Sequence, residues 1–513
     1  MKPPKMTDQT INTPTSWMYL PPELRLMILK KLSYLIYWSK EGDAQEQRRE
    51  KCSYAAVSRE WQEFFERWTF RHLTLHQSDL AELGKIIQDN SNRQMSVQFI
   101  CLRIELPKYG CKKCKKGESP IEVRTNQRLF TTAVYDLFFI LSQWEEQCDV
   151  TLEISVHSPS DALHYCQELK DRIHRKATMT QRYSKSRTRR KATHGWRRGI
   201  QIDSPPDGAK LRVFGHPKGL GFDLRTSVAR KLGTLPEVKV VTCLLIRRQF
   251  YRHFSVPKAL GPMMKSLSRL EHLSYEPWQG IDTNKLAGRQ IRDEEHTRLF
   301  LDVIQHHETL HSVSMFESFN PAMHTRGKRQ AYPALGQSVA KVSQNLKNLA
   351  AIFNVDAKDF FYAFFPSKNP ELPPSMSWSN LRHLNLCSEL LVPAHYNELI
   401  RVAAAAALQM PKLGCMELWN SGPHLMSCIF RYCKLRHGKR FIQLLNTWGG
   451  KLDKEAIACW REVADRVADC ELDAQSLYLD VNVFNNYASV LQYLHGRAGL
   501  LSKTSLWDVA VGL

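Results

Sequence analysis

The chain has no uncharged apolar run of the roughly 18 residues that a membrane-spanning helix needs. The best stretch, Val134 to Leu141, is broken by Asp136, so nothing is expected to cross a membrane. The opening Met1-Lys2-Pro3-Pro4-Lys5-Met6-Thr7-Asp8 lacks an apolar h-region, so no secretory signal is read there. A second Cys-x-x-Cys is missing as well. Cys111-Lys112-Lys113-Cys114 stands alone, whereas a structural zinc usually takes two such pairs. Cys101 or Cys148 would have to complete the set in space, and a surface turn with two thiols is the expectation. The thirteen cysteines, odd in number and scattered, read as reduced thiols of a cytoplasmic or nuclear protein.

Catalytic signatures are equally thin. His307-Glu308-Thr309-Leu310-His311 matches the HExxH pattern, which needs both histidines on one face of a continuous helix. Leu310 opens a strand phrase described below, so the helix should end near His306 or His307, with His311 in the strand. The glycine and third histidine of the extended metzincin pattern are absent. Gly215-His-Pro-Lys-Gly219-Leu-Gly221 has neither Walker nor dinucleotide spacing and marks a loop. Ser338, in Gly336-Gln337-Ser338-Val339-Ala340, lacks the second glycine of a nucleophile elbow and falls in a helical stretch. The expectation is a protein that is not an enzyme and takes no cofactor or metal.

What is present is a globular composition, 43% hydrophobic and 24% charged, in 513 residues. That length implies two to four units or one elongated repeat array. The net charge of 72 − 51 = +21 is uneven. Residues 170–198 hold twelve Lys/Arg against Asp171 alone, a balance of +11, which leaves 60 − 50 = +10 for the other 484 residues. The expectation for 170–208 is a basic disordered insert. Its core residues Lys185, Arg187, Arg189, Arg190 and Lys191 suit a nuclear-import receptor or a phosphate backbone, or form a solvated loop.

The sharpest signal is N-terminal. Leu20-Pro21-Pro22-Glu23-Leu24 opens a helix, because proline loses nothing in a first turn and Glu23 favours the positive dipole end. Leu24, Ile28 and Leu32 then recur as an apolar stripe. Further apolar groups follow at Tyr54 to Trp61 and at Phe64, Phe65 and Trp68. Three short helices with this much apolar surface should seek a partner.

The spacing Leu20-Pro21-x-Glu23-Leu24, Ile28, Leu32, then Val57-Ser58-Arg59-x-Trp61 resembles the F-box, the three-helix module of ubiquitin-ligase substrate receptors. The likeness covers about fifty residues, and its departure is the wide link at 33–51. It implies docking on the Skp-type adaptor of a cullin–RING ligase, with Leu20, Pro21, Glu23, Leu24, Ile28, Leu32, Val57, Ser58 and Trp61 at or beneath the contact.

Between residues 235 and 420 one phrase recurs, Leu-x-x-apolar-x-apolar. It starts at Leu270, Leu310, Leu346, Leu381 and Leu413, with spacings of 40, 36, 35 and 32 residues. A helical stretch precedes each phrase, such as Asp293 to Gln305 and Ala394 to Gln409. A strand joined to a helix and repeated this way predicts a solenoid with a parallel sheet, and it resembles an irregular leucine-rich-repeat array. Upstream, Asn126 is read as the cap of a helix bearing Val134, Leu137, Phe138, Leu141 and Trp144. Strands follow at Val150–Val156 and Val238–Ile246. Past 420, strands are expected at Cys428–Leu435, Phe441–Trp448 and Ser476–Val483. A helix capped by Asp453, with Ile457, Trp460, Ala464 and Val467 on one face, and a last helix at Tyr487–Leu494 complete that region.

The fold class expected is therefore α/β. It comprises a disordered tail (1–15), a three-helix F-box (16–75), an α/β start of the array (76–169), the insert (170–208), a leucine-rich-repeat-like α/β solenoid (209–420) and a small α/β C-terminal unit (421–513). Several fungal F-box proteins look like this overall. The function this implies is substrate receptor of an SCF-type ubiquitin ligase; the alternative is a nuclear scaffold or nucleic-acid-binding protein using 170–198. Within the phrase, the intervening side chains should line an exposed face that binds a protein target: His272, Phe316, His383, Asn385, Glu417 and Trp419.

Overall fold

Twelve strands hydrogen-bond into a single sheet whose spatial order is their order along the chain. They are β1 (His72–His76), β2 (Phe99–Glu105), β3 (Val150–His157), β4 (Val241–Ile246), β5 (His272–Tyr275) and β6 (Ser312–Phe316). The second half is β7 (Asn348–Asp356), β8 (His383–Cys387), β9 (Cys415–Ser421), β10 (Ser427–Lys434), β11 (Arg440–Asn446) and β12 (Leu472–Tyr478). All neighbours are parallel except β10, which runs antiparallel to both β9 and β11. The structure, a computed structural model, describes residues 17–38, 53–164, 196–197, 200–201, 205–214, 219–248, 252–280, 287–318, 331–365, 376–421, 426–435, 439–466, 472–484 and 487–510.

The protein is mixed α/β. Each of the five Leu-rich phrases lies on a strand, and their registers coincide: His272 pairs with Ser312, Ser312 with Asn348, Asn348 with His383 and His383 with Cys415. A parallel neighbour requires the chain to cross back over the sheet. Helices Pro120–Leu141, Ala287–Arg298, Pro333–Val342, Tyr396–Ala407 and Lys454–Asp465 occupy such crossings. The phrase leucines and their partners Leu273, Val313, Met315, Leu349, Leu384, Leu386, Met416 and Leu418 form one core with the four helices other than Ala287–Arg298, and with Leu299, Phe300, Val303 and Ile304, which follow Arg298.

Several boundaries differ from expectation; the strand expected at Val238–Ile246, for one, begins at Val241. The helix before β3 is capped by Ser119, not Asn126: Ser119 and Glu122 make a reciprocal capping box and Pro120 occupies the first turn. Asn126 sits inside that helix, buried, with its amide donating to Glu118. The expected border at 420 falls between strands of the same sheet, because β9 pairs with β10 over Cys415 to Ser421. The strand expected at Ser476–Val483 begins earlier, as β12 at Leu472. Most of the basic insert, including Lys185 to Lys191, lies outside the described residues, as do the tail 1–15 and Val467. At the end of the insert Gly208 is buried, in a helix that runs on into the array. Helix Asp207–Phe214 buries Arg212, which donates to the carbonyls of Lys116 and Gly117.

Candidate functional site

Among the described residues, helices α1 (Pro22–Trp38) and α2 (Arg59–Phe70) precede β1, with helical residues 53–55 between them. Ser58 caps α2, its hydroxyl accepting the Trp61 amide. At 100° per residue, Arg25, Leu29, Leu32 and Ser33 share one side of α1, which faces inward; Leu29 and Ser33 are buried and the other two half-buried. There the Arg25 guanidinium and the Trp17 indole both donate to Glu60, at 2.9 and 2.8 Å. Trp17, Tyr54, Phe64 and Phe65 pack around Trp61, with Trp17–Trp61 and Tyr54–Phe65 ring centroids 5.2 and 5.3 Å apart. Arg93 pairs with Glu66 through two nitrogens, at 3.0 and 2.7 Å, tying α2 to helix Ser91–Ser96 beside the sheet.

The opposite side of α1 faces water. Leu24 is 45% exposed, Met27 63%, Ile28 39% and Leu35 54%. Val57, in the turn before α2, is also exposed. The single stripe read from Leu24, Ile28 and Leu32 thus splits: Leu32 turns inward, and Met27 and Leu35 join the outer face. Pro21, Glu23 and Ser58 are exposed, and Leu20 and Trp61 half-buried. Among the described residues, ten of the twenty-two exposed large hydrophobic side chains fall within residues 17–70. That concentration is more than scattered surface exposure provides.

The face expected to receive a target is occupied. Phe316 and Trp419 are fully buried, and Asn385 and Glu417 nearly so. They lie beneath the C-terminal segment: Leu479, Phe484, Val490, Leu491, Leu494, Leu500, Leu501 and Val509 pack on Phe316, Ile352, Phe353, Cys387, Trp419, Ile429 and Leu445. Phe353 holds a φ of +67° where the β7–β8 register shifts, and both Ile352 and Phe353 reach this covered cluster. The polar members are consumed internally. The Trp419 indole donates to Asn385 at 2.9 Å, the Asn385 amide to Glu417 at 3.2 Å, and Arg431 to Glu417 at 2.8 Å. The reason is that Phe316, Ile352, Cys387 and Trp419 give this face an apolar end opposite the leucine-bearing face, so both faces of these strands must be covered. His272 and His383 alone remain exposed, at the strand starts. A half-polar, partly exposed stretch of this face persists nearer β1, at Thr74, Arg103, Thr151, Cys243 and Leu245.

The remaining motifs find structural places. A 3₁₀ turn ends at His306 and His311 directly precedes β6, so His307 and His311 do not share a helix. His307 instead meets the Leu267 carbonyl at 3.0 Å. Cys111–Cys114 is one helical turn, with Cys111 exposed and Cys114 buried, its thiol pushed up chiefly by burial. Ser338 lies within helix Pro333–Val342 and donates to the Ala334 carbonyl. No helix among the described residues is long and apolar enough to cross a membrane.

The sequence puts Glu417 on a target-binding face, whereas the structure makes it, with Glu276 and Ser314, a fastener of the C-terminal cover. Glu417 accepts the amides of His495 and Gly496, Glu276 accepts the Ser502 amide, and the Ser314 hydroxyl donates to the Leu500 carbonyl. No periodicity announces such contacts, because each joins points far apart in the chain. Residues 305–502 match the profile of a family of unknown function, DUF6546, a stretch that runs from just before β6 through the covering segment to Ser502. No curated protein and no solved structure matches the chain.

Proposed function

We propose that the protein is an F-box substrate receptor. In this reading residues 17–70 dock on the Skp-type adaptor of a cullin–RING ligase, and the leucine-rich-repeat-like solenoid that follows presents a protein target to the conjugating enzyme. The observation that carries the reading is the water-facing apolar side of α1, Leu24, Met27, Ile28 and Leu35, flanked by Val57. An adaptor helix or groove would desolvate that side, while the inner side is already satisfied by Glu60 and the aromatic cluster. No covalent chemistry is assigned to the chain; holding a target near the enzyme raises its effective concentration. With Phe316 and Trp419 enclosed, the target's surface is assigned to the partly exposed side of β1–β4 rather than to β6–β9.

The test is co-purification of full-length protein with a Skp-type adaptor. Leu24→Asp with Val57→Asp alters only exposed side chains, so the chain should unfold as the parent does while adaptor capture falls at least thirtyfold, the equivalent of about 2 kcal/mol. Capture unchanged in that double variant would overturn the reading.

A further inference from the structure

We infer that Glu271, His272 and His311 form a divalent-metal site of the zinc class. These three side chains are the grouping of His, Cys, Asp or Glu among the described residues whose ligand atoms converge, all within 4.8 Å of one another. The backbone explains why they meet. The amides of His311 and Ser312 both donate to the Glu271 carbonyl at 3.1 Å, which sets the entry to β6 beside the entry to β5. Glu271 then projects toward His311, with Oε2 3.4 Å from Nε2, and His272 Nε2 lies 4.0 Å from the same oxygen. The two imidazoles stand perpendicular, centroids 4.9 Å apart.

Zinc bonds nitrogen and carboxylate oxygen at about 2.0–2.2 Å in a tetrahedron, which separates neighbouring ligand atoms by roughly 3.3–3.5 Å. The Glu271–His311 edge already has that length. The His272 edges are longer, and the ring that must move is about half exposed, so it swings by side-chain rotation without displacing a strand. Two histidines and one carboxylate match the donor preference of zinc, and three protein ligands leave a fourth position for water. The His311 of the HExxH-like run is thus used with residues forty positions upstream, and His307 is not.

The test uses chelator-treated full-length protein. Zinc is titrated calorimetrically, and cobalt is titrated as an optical probe. One equivalent bound at micromolar or tighter affinity, with a cobalt spectrum of nitrogen and oxygen ligands, supports the site if His272→Ala weakens binding at least tenfold and His311→Ala abolishes it. His272→Ala changes an exposed ring, so it reports even where His311→Ala fails to fold. Glu271→Gln should weaken binding further while leaving the backbone contact intact. Thiolate charge-transfer bands in the cobalt spectrum, affinity unchanged by His272→Ala, or no binding at micromolar zinc would each overturn the assignment.

Discussion

Glu417, in the middle of β9, accepts the backbone amide of Gly496 at 2.8 Å across 79 residues of chain. Its other oxygen takes the His495 amide at 2.9 Å and the Arg431 guanidinium at 2.8 Å. Arg431 in turn donates to the Tyr493 carbonyl. One carboxylate therefore joins two sheet strands to the segment that covers them, in a place where 1% of its surface reaches water.

Glu417→Ala should release that cover before it unfolds the sheet. The substitution leaves Arg431 buried without its charge partner and two amides without an acceptor, a loss of about 3–5 kcal/mol. Hydrogen exchange should accelerate first in 487–500, with β2–β4 protected as before. Unchanged exchange in 487–500 would mean that apolar packing alone holds the cover.

Phe316 and Trp419 behave as core residues under this geometry. Phe316→Ala or Trp419→Ala empties a site with no exposed surface and should destabilise the protein by about 3–5 kcal/mol. Chemical denaturation decides the matter. A loss below about 1 kcal/mol, as surface substitutions show, would contradict their burial.

The strand ladder was legible because leucine, a second apolar residue and a third recur at spacings that only a repeated strand explains, and Leu270, Leu310, Leu346, Leu381 and Leu413 all mark strand entries. The helix capped by Asp453 and its buried Trp460 were equally readable, since caps and 3.6-residue periodicity are local. The face of β6–β9 was misjudged for a physical reason. Alternation says which residues point to opposite sides, and it does not say that a segment eighty to two hundred residues later lies over one of them. Ser314 and Leu500, or Glu276 and Ser502, meet only in three dimensions. The capping box of Ser119 and Glu122, with Pro120 between them, is a local sequence signature and outweighs Asn126 as the start of that helix.

Farther along the same face, Arg247 on the residue after β4 grips Glu153 of β3 with two nitrogens, at 2.7 and 2.5 Å, and both side chains are buried. Such a pair is expensive to break and cheap to replace. Arg247→Met should cost about 3–5 kcal/mol by stranding the carboxylate, whereas Glu153→Leu with Arg247→Met should recover most of it. A double variant no more stable than the single one would show that the pair has favourable partners beyond each other.

The C-terminal helix Lys503–Ala510 should dock in a pH-dependent way through Glu276. This buried carboxyl accepts the Arg248 amide at 3.1 Å and the Ser502 amide at 2.8 Å, and the Ser505 hydroxyl also donates to it. Burial pushes its pKa above the ordinary glutamate value, and the donors pull it back only in part. The folded state thus holds the proton more tightly than the unfolded chain. Its contribution is complete below the free value of about 4.3 and is lost as pH rises through the folded value, so docking weakens from mildly acid toward alkaline conditions. Amide exchange in 503–506, corrected for its intrinsic base catalysis, should report more frequent opening near pH 8 than near about pH 5. Glu276→Gln cannot titrate, keeps an acceptor for the Ser502 amide and should flatten that slope. An equal slope in parent and variant would assign the pH dependence to another group.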